Sequence, residues 1–341
     1  MDANQDLGLP PHVPLVRMAF AHWTSHIAFA AARLGIADHL ADGPLDAATL
    51  AKKTATHAPS LGRFLRTLAS MGVLTEDESH RFALTPIGRA LRTGAPGAAR
   101  ATILTLAHPS WIAGFSEMLH SLEAGRSAYE KTFGMNIFEW LGKHPDEAAL
   151  FSETMVGIHG MEPAAVAAAY DFSKCGTIVD VGGASGLLLT TVLGKAPRAK
   201  GILFDLPHVV RDVHAGLAAS GMKDRVTVEG GSFFERVPKG GDVYLLSHVI
   251  HDWPESQCVD ILRCCREAMN PGGRILLVEM VLPHGDTPHP GKMLDMMMLV
   301  GPGGQERTAE EYAALAKLAG LRMERIVPTE SAVAIVELVA G

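Results

Sequence analysis

Three kinds of residue in this sequence stand where chemistry is done. In "LLSHVIHDWPES", residues 245–256, an apolar run that reads as a strand stops at His251, an ionisable ring at an exposed strand end, suited to taking a proton. In "VDVGGASG", Gly182, Gly183 and Gly186 follow another strand, so the backbone can turn tightly and approach a ligand at the start of the next helix. Asp180 lies two residues before the first of these glycines and can hold a cationic amino group, directly or through water. A third strand ends in "LFDLP", placing Asp205, with Leu206 beside it, 19 residues after Gly186, where a carboxylate accepts from both hydroxyls of a ribose.

A dinucleotide fingerprint starting at Gly182 requires glycine at 184 and 187, where Ala184 and Leu187 stand, so the NAD reading weakens. Two acids around a glycine turn fit a ligand with a ribose at one end and an ammonium at the other. S-adenosylmethionine is such a ligand. Taken alone, the stretch is also compatible with an ordinary glycine-rich turn, and His251 with a strand end whose ring a neighbour satisfies. Asp252 either orients the ring or caps a helix beginning near Pro254, the cap being the favoured reading. Trp253 reads as packing.

These residues need a frame. From 177 onward short β-rich runs ("TIVDV", "GILFDL", "RVTVEG", "DVYLLSHVI", "RILLVEMVL", "RMERIVP", "AVAIVELVA") alternate with helical spacing, the pattern of a mostly parallel sheet covered by helices. Residues 18–98 read as helices followed by the small hairpin "LTEDESHRFALTPIGRAL", a winged-helix order, and residues 100–170 as helices. A DNA-binding wing wants clustered positive charge. Residues 1–100 carry ten Lys and Arg against eight Asp and Glu, and the wing holds Glu76, Asp77 and Glu78, so the region is expected to pair subunits through its Ala-rich, Phe-containing first helices.

At 341 residues the chain suggests two domains. Hydrophobic residues at 48% and charged ones at 20% describe a globular protein, and a net charge of -7 argues against a general nucleic-acid binder. The start, "MDANQDLGLPPHVP", lacks the pattern of a secretory signal, and no stretch approaches a membrane span. Cys175, Cys258, Cys264 and Cys265 form no CxxC pair and suit neither zinc nor a disulfide framework. A cytoplasmic location with reduced thiols is expected.

"VDVGGASG", "FDLP", "GGSFFERVP", "LLSHVIHDW", "NPGGRILLVEMVLP" and "GGQERTAEEYAALAKLAGL", in that order, resemble the caffeate-type small-molecule O-methyltransferases, including bacterial enzymes that tailor aromatic natural products. The resemblance covers the catalytic domain and extends to that family's winged-helix dimerisation domain. It implies an α/β chain: a winged-helix-like dimerisation domain (1–100), a helical linker contributing to the substrate pocket (101–170) and a Rossmann-like methyltransferase domain (171–341). It implies a homodimer using S-adenosylmethionine, with S-adenosylhomocysteine as product and no metal, acting on a hydroxylated polycyclic or heterocyclic secondary metabolite.

By the same resemblance His251 is the general base, and Glu279 and Glu306 are the acids that flank its ring. A phenol near pKa ~10 facing an imidazole near ~6.5 makes that assignment chemically sensible. Ser232 stands where relatives carry an acid facing the adenine, Phe233 is placed to stack on it, and Ser247 replaces a common lysine, leaving a hydroxyl that reaches the cofactor through water. Phe151, Met155, His159 and Met298 fall on the acceptor cavity, with Asp252 near it, Trp111, Phe115 and Met118 closing it, and His22, Trp23 and His26 reaching in from a second subunit. Two alternatives remain at this level: a relative with the same fold and cofactor but hydroxylase- or decarboxylase-like chemistry, and a winged-helix regulator with a degenerate enzyme domain.

Overall fold

A computed structural model describes residues 10–341; residues 1–9, part of the N-terminal segment read above as lacking a secretory signal, lie outside the described residues. The chain divides into two compact units, residues 1–113 with 140–160 and residues 114–139 with 161–341. No helix among the described residues is long and apolar enough to cross a membrane.

The first unit opens with the helix His12–Arg33, on which Leu15, Val16, Met18, Phe20 and Trp23 are exposed, an apolar set of the kind that pairing covers. Helices Ala47–Thr54 and Ala58–Ser70 follow. The second repeats Leu61, Leu65 and Leu68 at i, i+4 and i+7, one helical face, and buries them with Leu50, Leu74 and Phe82. Strand β1 (Leu45–Asp46) pairs with β3 (Arg81–Leu84), and β3 with β2 (Leu74–Glu76), so the expected hairpin gains a third strand too short to show a period of its own. At the hairpin tip Asp77 accepts from the backbone N–H of Ser79 and Arg81 and pairs with the Arg81 guanidinium at 2.8 Å, so this acid shapes the turn. Helices Ala99–Leu106 and Pro145–His159 pack together in the same unit, with Thr105 and Thr154 sharing a buried hydroxyl contact of 3.0 Å.

In the second unit seven strands form one sheet: β4 (Thr177–Val181), β5 (Lys200–Asp205), β6 (Val226–Gly230), β7 (Gly241–Ser247), β8 (Met269–Glu279), β9 (Leu321–Pro328) and β10 (Ala334–Ala340). Their order is β6-β5-β4-β7-β8-β10-β9, with β6 to β8 running parallel and β10 antiparallel to both β8 and β9. The sheet is thus mostly parallel, as expected, and mixed only through the antiparallel β10 and its pairings. Strand β4 is buried on both faces from Ile178 to Val181, with Asp180 the one acid in its otherwise apolar run. The strand order reverses across β4 and β7, which opens a crevice at their carboxyl ends. The helix Glu255–Ala268 seats Cys258, Val259, Ile261, Leu262, Cys265 and Ala268 in the core on one side of the sheet.

The sequence reading ran the strand "DVYLLSHVI" to an exposed end at His251, and the structure corrects it. Strand β7 stops at Ser247, because His248 takes a left-handed backbone (φ 53°) that no strand continues. The chain then makes a short 3-10 turn, Ile250–Asp252, and His251 is buried at 6% exposure. The helical cap assigned to Asp252 does not form either. Trp253 precedes a proline and is therefore extended (φ -121°, ψ 146°), which moves the cap position of the helix Glu255–Ala268 to Pro254, a residue with no acceptor side chain.

Helix Ala309–Leu318 carries a complete capping box: the Thr308 hydroxyl accepts from the Glu311 N–H, and the Glu311 carboxylate accepts from the Thr308 N–H at 2.8 Å. Thr308→Ala is expected to lower stability by about 1 kcal/mol, read as a fall in the urea midpoint at constant slope.

Candidate active site

All the chemistry-bearing residues of the second unit gather at the carboxyl ends of its parallel strands. The loop after β4 turns through Gly182 (φ 72°) and Gly186 (φ 75°). Ala184 between them also takes a positive φ of 47°, a conformation that costs an L-residue roughly 1–2 kcal/mol. Its N–H donates to the Asp205 carboxylate at 2.9 Å, which binds this strained loop to the tip of β5. The other Asp205 oxygen accepts from the Leu206 N–H at 2.6 Å. Gly183 packs so closely that an added Cβ would meet the Asp180 carboxyl at 2.6 Å.

Asp180 is fully buried, and burial, followed by the charge of Asp205, pushes its carboxyl up to about 7. One of its oxygens, Oδ2, has no hydrogen-bond partner among the described residues. A buried, unsatisfied acid beside a second acid is stabilised by a ligand that brings a cation and hydroxyl donors. These residues therefore fit a ligand carrying an ammonium and a ribose. Ser232 and Phe233 follow β6, and Ser247 is the last residue of β7, so all three border the same crevice edge. Phe233 meets Phe234 and Trp253 edge-on, at 4.9 and 5.9 Å, and Phe138 stacks on Trp253 at 5.6 Å, so Trp253 does pack as expected.

The second cluster surrounds His251. Its Nδ1 lies 2.6 Å from Glu306 Oε1 and 3.5 Å from Glu279 Oε2. Glu279 closes β8, and its Oε1 receives the backbone N–H groups of Val249, Ile250 and His251 at 3.2, 2.9 and 3.4 Å. That carboxyl therefore forms the turn that holds the ring. Burial, then the charges of Glu306 and Asp252, raise Glu279 well above the ordinary carboxyl range, so its proton belongs on Oε2, which accepts no backbone N–H. Burial lifts Glu306 to about 7, opposed by His248, Arg307 and His289. An ionised Glu306 can only accept, so Nδ1 carries the hydrogen and Nε2 presents a lone pair. Asp252 Oδ1 stands 3.6 Å from Nε2, and burial raises its carboxyl to about 6.

Three further residues build this site without having been singled out in the sequence. Arg307 is buried, and its guanidinium donates to the carbonyls of Ile250, Gln305 and Trp253 at 3.1, 3.2 and 3.4 Å. The Cys258 thiol donates to the Ile250 and Trp253 carbonyls, each at 3.1 Å. Gly304 lies against the backbone of His251, Asp252 and Trp253, where a Cβ would collide, and this approach lets the Gln305 N–H reach the His251 carbonyl at 2.9 Å. One nitrogen each of His248 and His251 and one oxygen of Glu279 also lie within 4.8 Å of one another, a spacing found among metal ligands.

The residues expected around the acceptor divide between the units. Phe151, Met155 and His159 are half-buried at i, i+4 and i+8 on the helix Pro145–His159 of the first unit. Trp111, in the same unit, lines a cavity of about 10 Å³ with His108 and Glu147, room for one water-sized sphere only. His22, Trp23 and His26 are exposed on the helix His12–Arg33. Phe115, Met118, Asp252 and Met298 belong to the second unit, Met298 being buried on the helix Pro290–Val300.

Comparison with known proteins shows the family of the chain. An O-methyltransferase domain model matches residues 115–322, and an O-methyltransferase dimerisation domain matches residues 16–94. The chain belongs to the O-methyltransferase family. It is similar to phenazine O-methyltransferase PhzM of Lysobacter antibioticus, 43% identical over 98% of this chain and 98% of that one. Among solved structures it is similar to LaPhzM (TM-score 0.92, 42% identity, 98% of this chain and 100% of that one). It is also similar to NcsB1 from neocarzinostatin biosynthesis, solved with S-adenosylmethionine and 2-hydroxy-5-methyl naphthoic acid (TM-score 0.84, 35% identity, 93% and 96%). This O-methyltransferase therefore has the family's methyltransferase fold, with a mixed central sheet and an N-terminal dimerisation domain.

Because a Cβ at position 304 meets backbone rather than a movable side chain, Gly304→Ala is expected to displace the His251 turn and lower kcat at least about 100-fold. Donor affinity, measured by calorimetry, should change less than threefold, since Gly304 lies far in the chain from the loop of Gly182 and Asp205.

Proposed function

We propose that this enzyme methylates a hydroxyl of a polycyclic or heterocyclic aromatic metabolite, with S-adenosylmethionine as donor, His251 as general base and no metal. The observation that carries the reading is the contact of 2.6 Å between His251 Nδ1 and Glu306, which leaves Nε2 as the ring's basic atom. When bound, the donor supplies a methyl group on a sulfonium, a leaving group that needs little assistance. The protein's tasks are then to hold and align the two reactants and to receive one proton.

Asp205 would bind the ribose hydroxyls with lone pairs that its two backbone N–H contacts leave over, and Asp180 the amino group, which relieves its buried and unsatisfied oxygen. Phe233 and Ser232 would border the adenine, and Ser247 would lie near the sulfonium end. On the acceptor side, His251 Nε2 takes the hydroxyl proton as the oxygen becomes nucleophilic. Glu306 is a positioning residue: it fixes the tautomer and stabilises the imidazolium that forms. Asp252, beside Nε2, is a second carboxylate able to receive the new N–H. PhzM and NcsB1 support an aromatic acceptor, and the matched dimerisation domain with the exposed apolar residues of the helix His12–Arg33 supports a homodimer.

His251→Ala is expected to lower kcat by about 10²–10⁴-fold while leaving donor affinity nearly unchanged. Near-normal turnover on a phenolic acceptor would remove the base assignment. Asp205→Ala should instead weaken donor binding first, visible as a raised donor Kd by calorimetry. In the wild type only an ionised Glu306 is restricted to accepting and so holds the hydrogen on Nδ1, so kcat should rise with pH through about 7 and be lost below it. Labelled donor and a panel of hydroxylated phenazines, naphthoates, anthraquinones and quinolines would identify the acceptor. A panel in which only amines are labelled contradicts O-methylation.

A further inference from the structure

A second histidine–carboxylate pair adjoins the first, and the chemistry described so far leaves it without a role. His248 Nε2 lies 2.7 Å from Glu162 Oε2, both side chains being close to fully buried. Glu162 is the first residue of the helix Glu162–Ala169, and His248 is the residue at which β7 ends. The rings of His248 and His251 are 5.2 Å apart between centroids, tilted by 50°. Reaching this position puts His248 in the left-handed region (φ 53°), a strain that persists where surrounding contacts over-determine it; its N–H donates to the Val278 carbonyl at 3.1 Å. A strained residue with a short, buried hydrogen bond to a carboxylate, set beside His251, is a feature with a cost, and packing alone gives no reason for it.

We propose that His248, paired with Glu162, is a positioning residue for methyl transfer: its positive charge keeps Glu306 an anion, and Glu306 in turn keeps His251 in the tautomer that exposes Nε2. The inference rests on His251 being the base. The electrostatics agree, since His248 is the foremost group opposing the effect of burial on Glu306. Among the described residues of the second unit the other charged or titratable groups around this cluster are Asp252 on the turn, Cys258 beside it, Glu279 at the end of β8, Arg307 after Glu306, His289 and Asp295 of the neighbouring helix, and Tyr312 on the helix Ala309–Leu318. Glu279 keeps its proton, and Arg307 is spent on carbonyls that pin the turn. That leaves His248 as the cation whose charge a carboxylate partner can set.

The sign of the effect follows. Without the positive ring Glu306 takes up its proton more readily, ceases to accept from Nδ1, and releases His251 to the wrong tautomer. The test compares the full-length wild type with His248→Asn, chosen because asparagine tolerates a left-handed backbone, and with Glu162→Gln, which keeps the shape and hydrogen bond of the pair. Each variant should move the acidic limb of the kcat–pH profile upward by about one unit, a loss of roughly tenfold on that limb, with donor Kd within twofold of wild type. The loss should shrink for a nitro-substituted analogue of the acceptor, whose hydroxyl is already ionised and needs no base. A limb that stays in place, or a loss equal for both acceptors, overturns the proposal; Glu162→Gln carries the test if His248→Asn does not fold. His251→Ala, assayed in parallel, separates the two readings. If it keeps turnover, the base assignment fails; if it loses turnover while the pair variants keep the wild-type profile, only the present inference fails.

Discussion

One contact governs the rest of this molecule: a carboxyl oxygen held 2.6 Å from an imidazole nitrogen in a place water does not reach. In bulk solvent such a pair is worth little, because both partners are already solvated. Here Glu279 and Glu306 are buried and His251 is nearly so, and the balance of their protons becomes sensitive to every neighbouring charge. The cost of burying two acids beside one ring is met by specific groups: backbone N–H donors on Glu279, the guanidinium of Arg307, and the ring itself. What results is an imidazole whose ring is held in one defined direction.

The two halves of the site are kept by different means. On the donor side the backbone dominates, with a loop bent through positive φ at Gly182, Ala184 and Gly186 and tied to Asp205 by a main-chain amide. On the acceptor side a buried arginine and a glycine without room for a methyl group lock the turn Ile250–Asp252 to the segment 304–307. The motif "GGQERT" is thus a single device: a glycine for approach, an acid for the ring and a base for the carbonyls.

Much of this was legible in the sequence, and the boundary between legible and hidden is physical. Strands showed as apolar runs, and Asp180, Asp205 and His251 stood out because an ionisable residue in or at the end of such a run is expensive, whereas Glu279 and Glu306 came from the family resemblance. The hidden parts all depend on partners distant in the chain. Arg307 reaches carbonyls more than 50 positions away in the chain, and Glu162 lies 86 positions from His248. The end of β7 was missed because a left-handed histidine has no local signature, whereas glycine would have announced it. The misplaced cap at Asp252 has the opposite origin: a local rule was applied one proline too early.

The antiparallel pairing of β10 has a bearing on how the protein comes into being. Ala334 stands opposite Glu279, so the strand that ends in this acid is flanked on one side by a segment made 55 residues later. On a ribosome β8 leaves the tunnel before its neighbour exists, and a long loop must close before the edge is covered. A nascent chain can therefore assemble the glycine turn and its tie to Asp205 before the strand that covers Glu279 is in place.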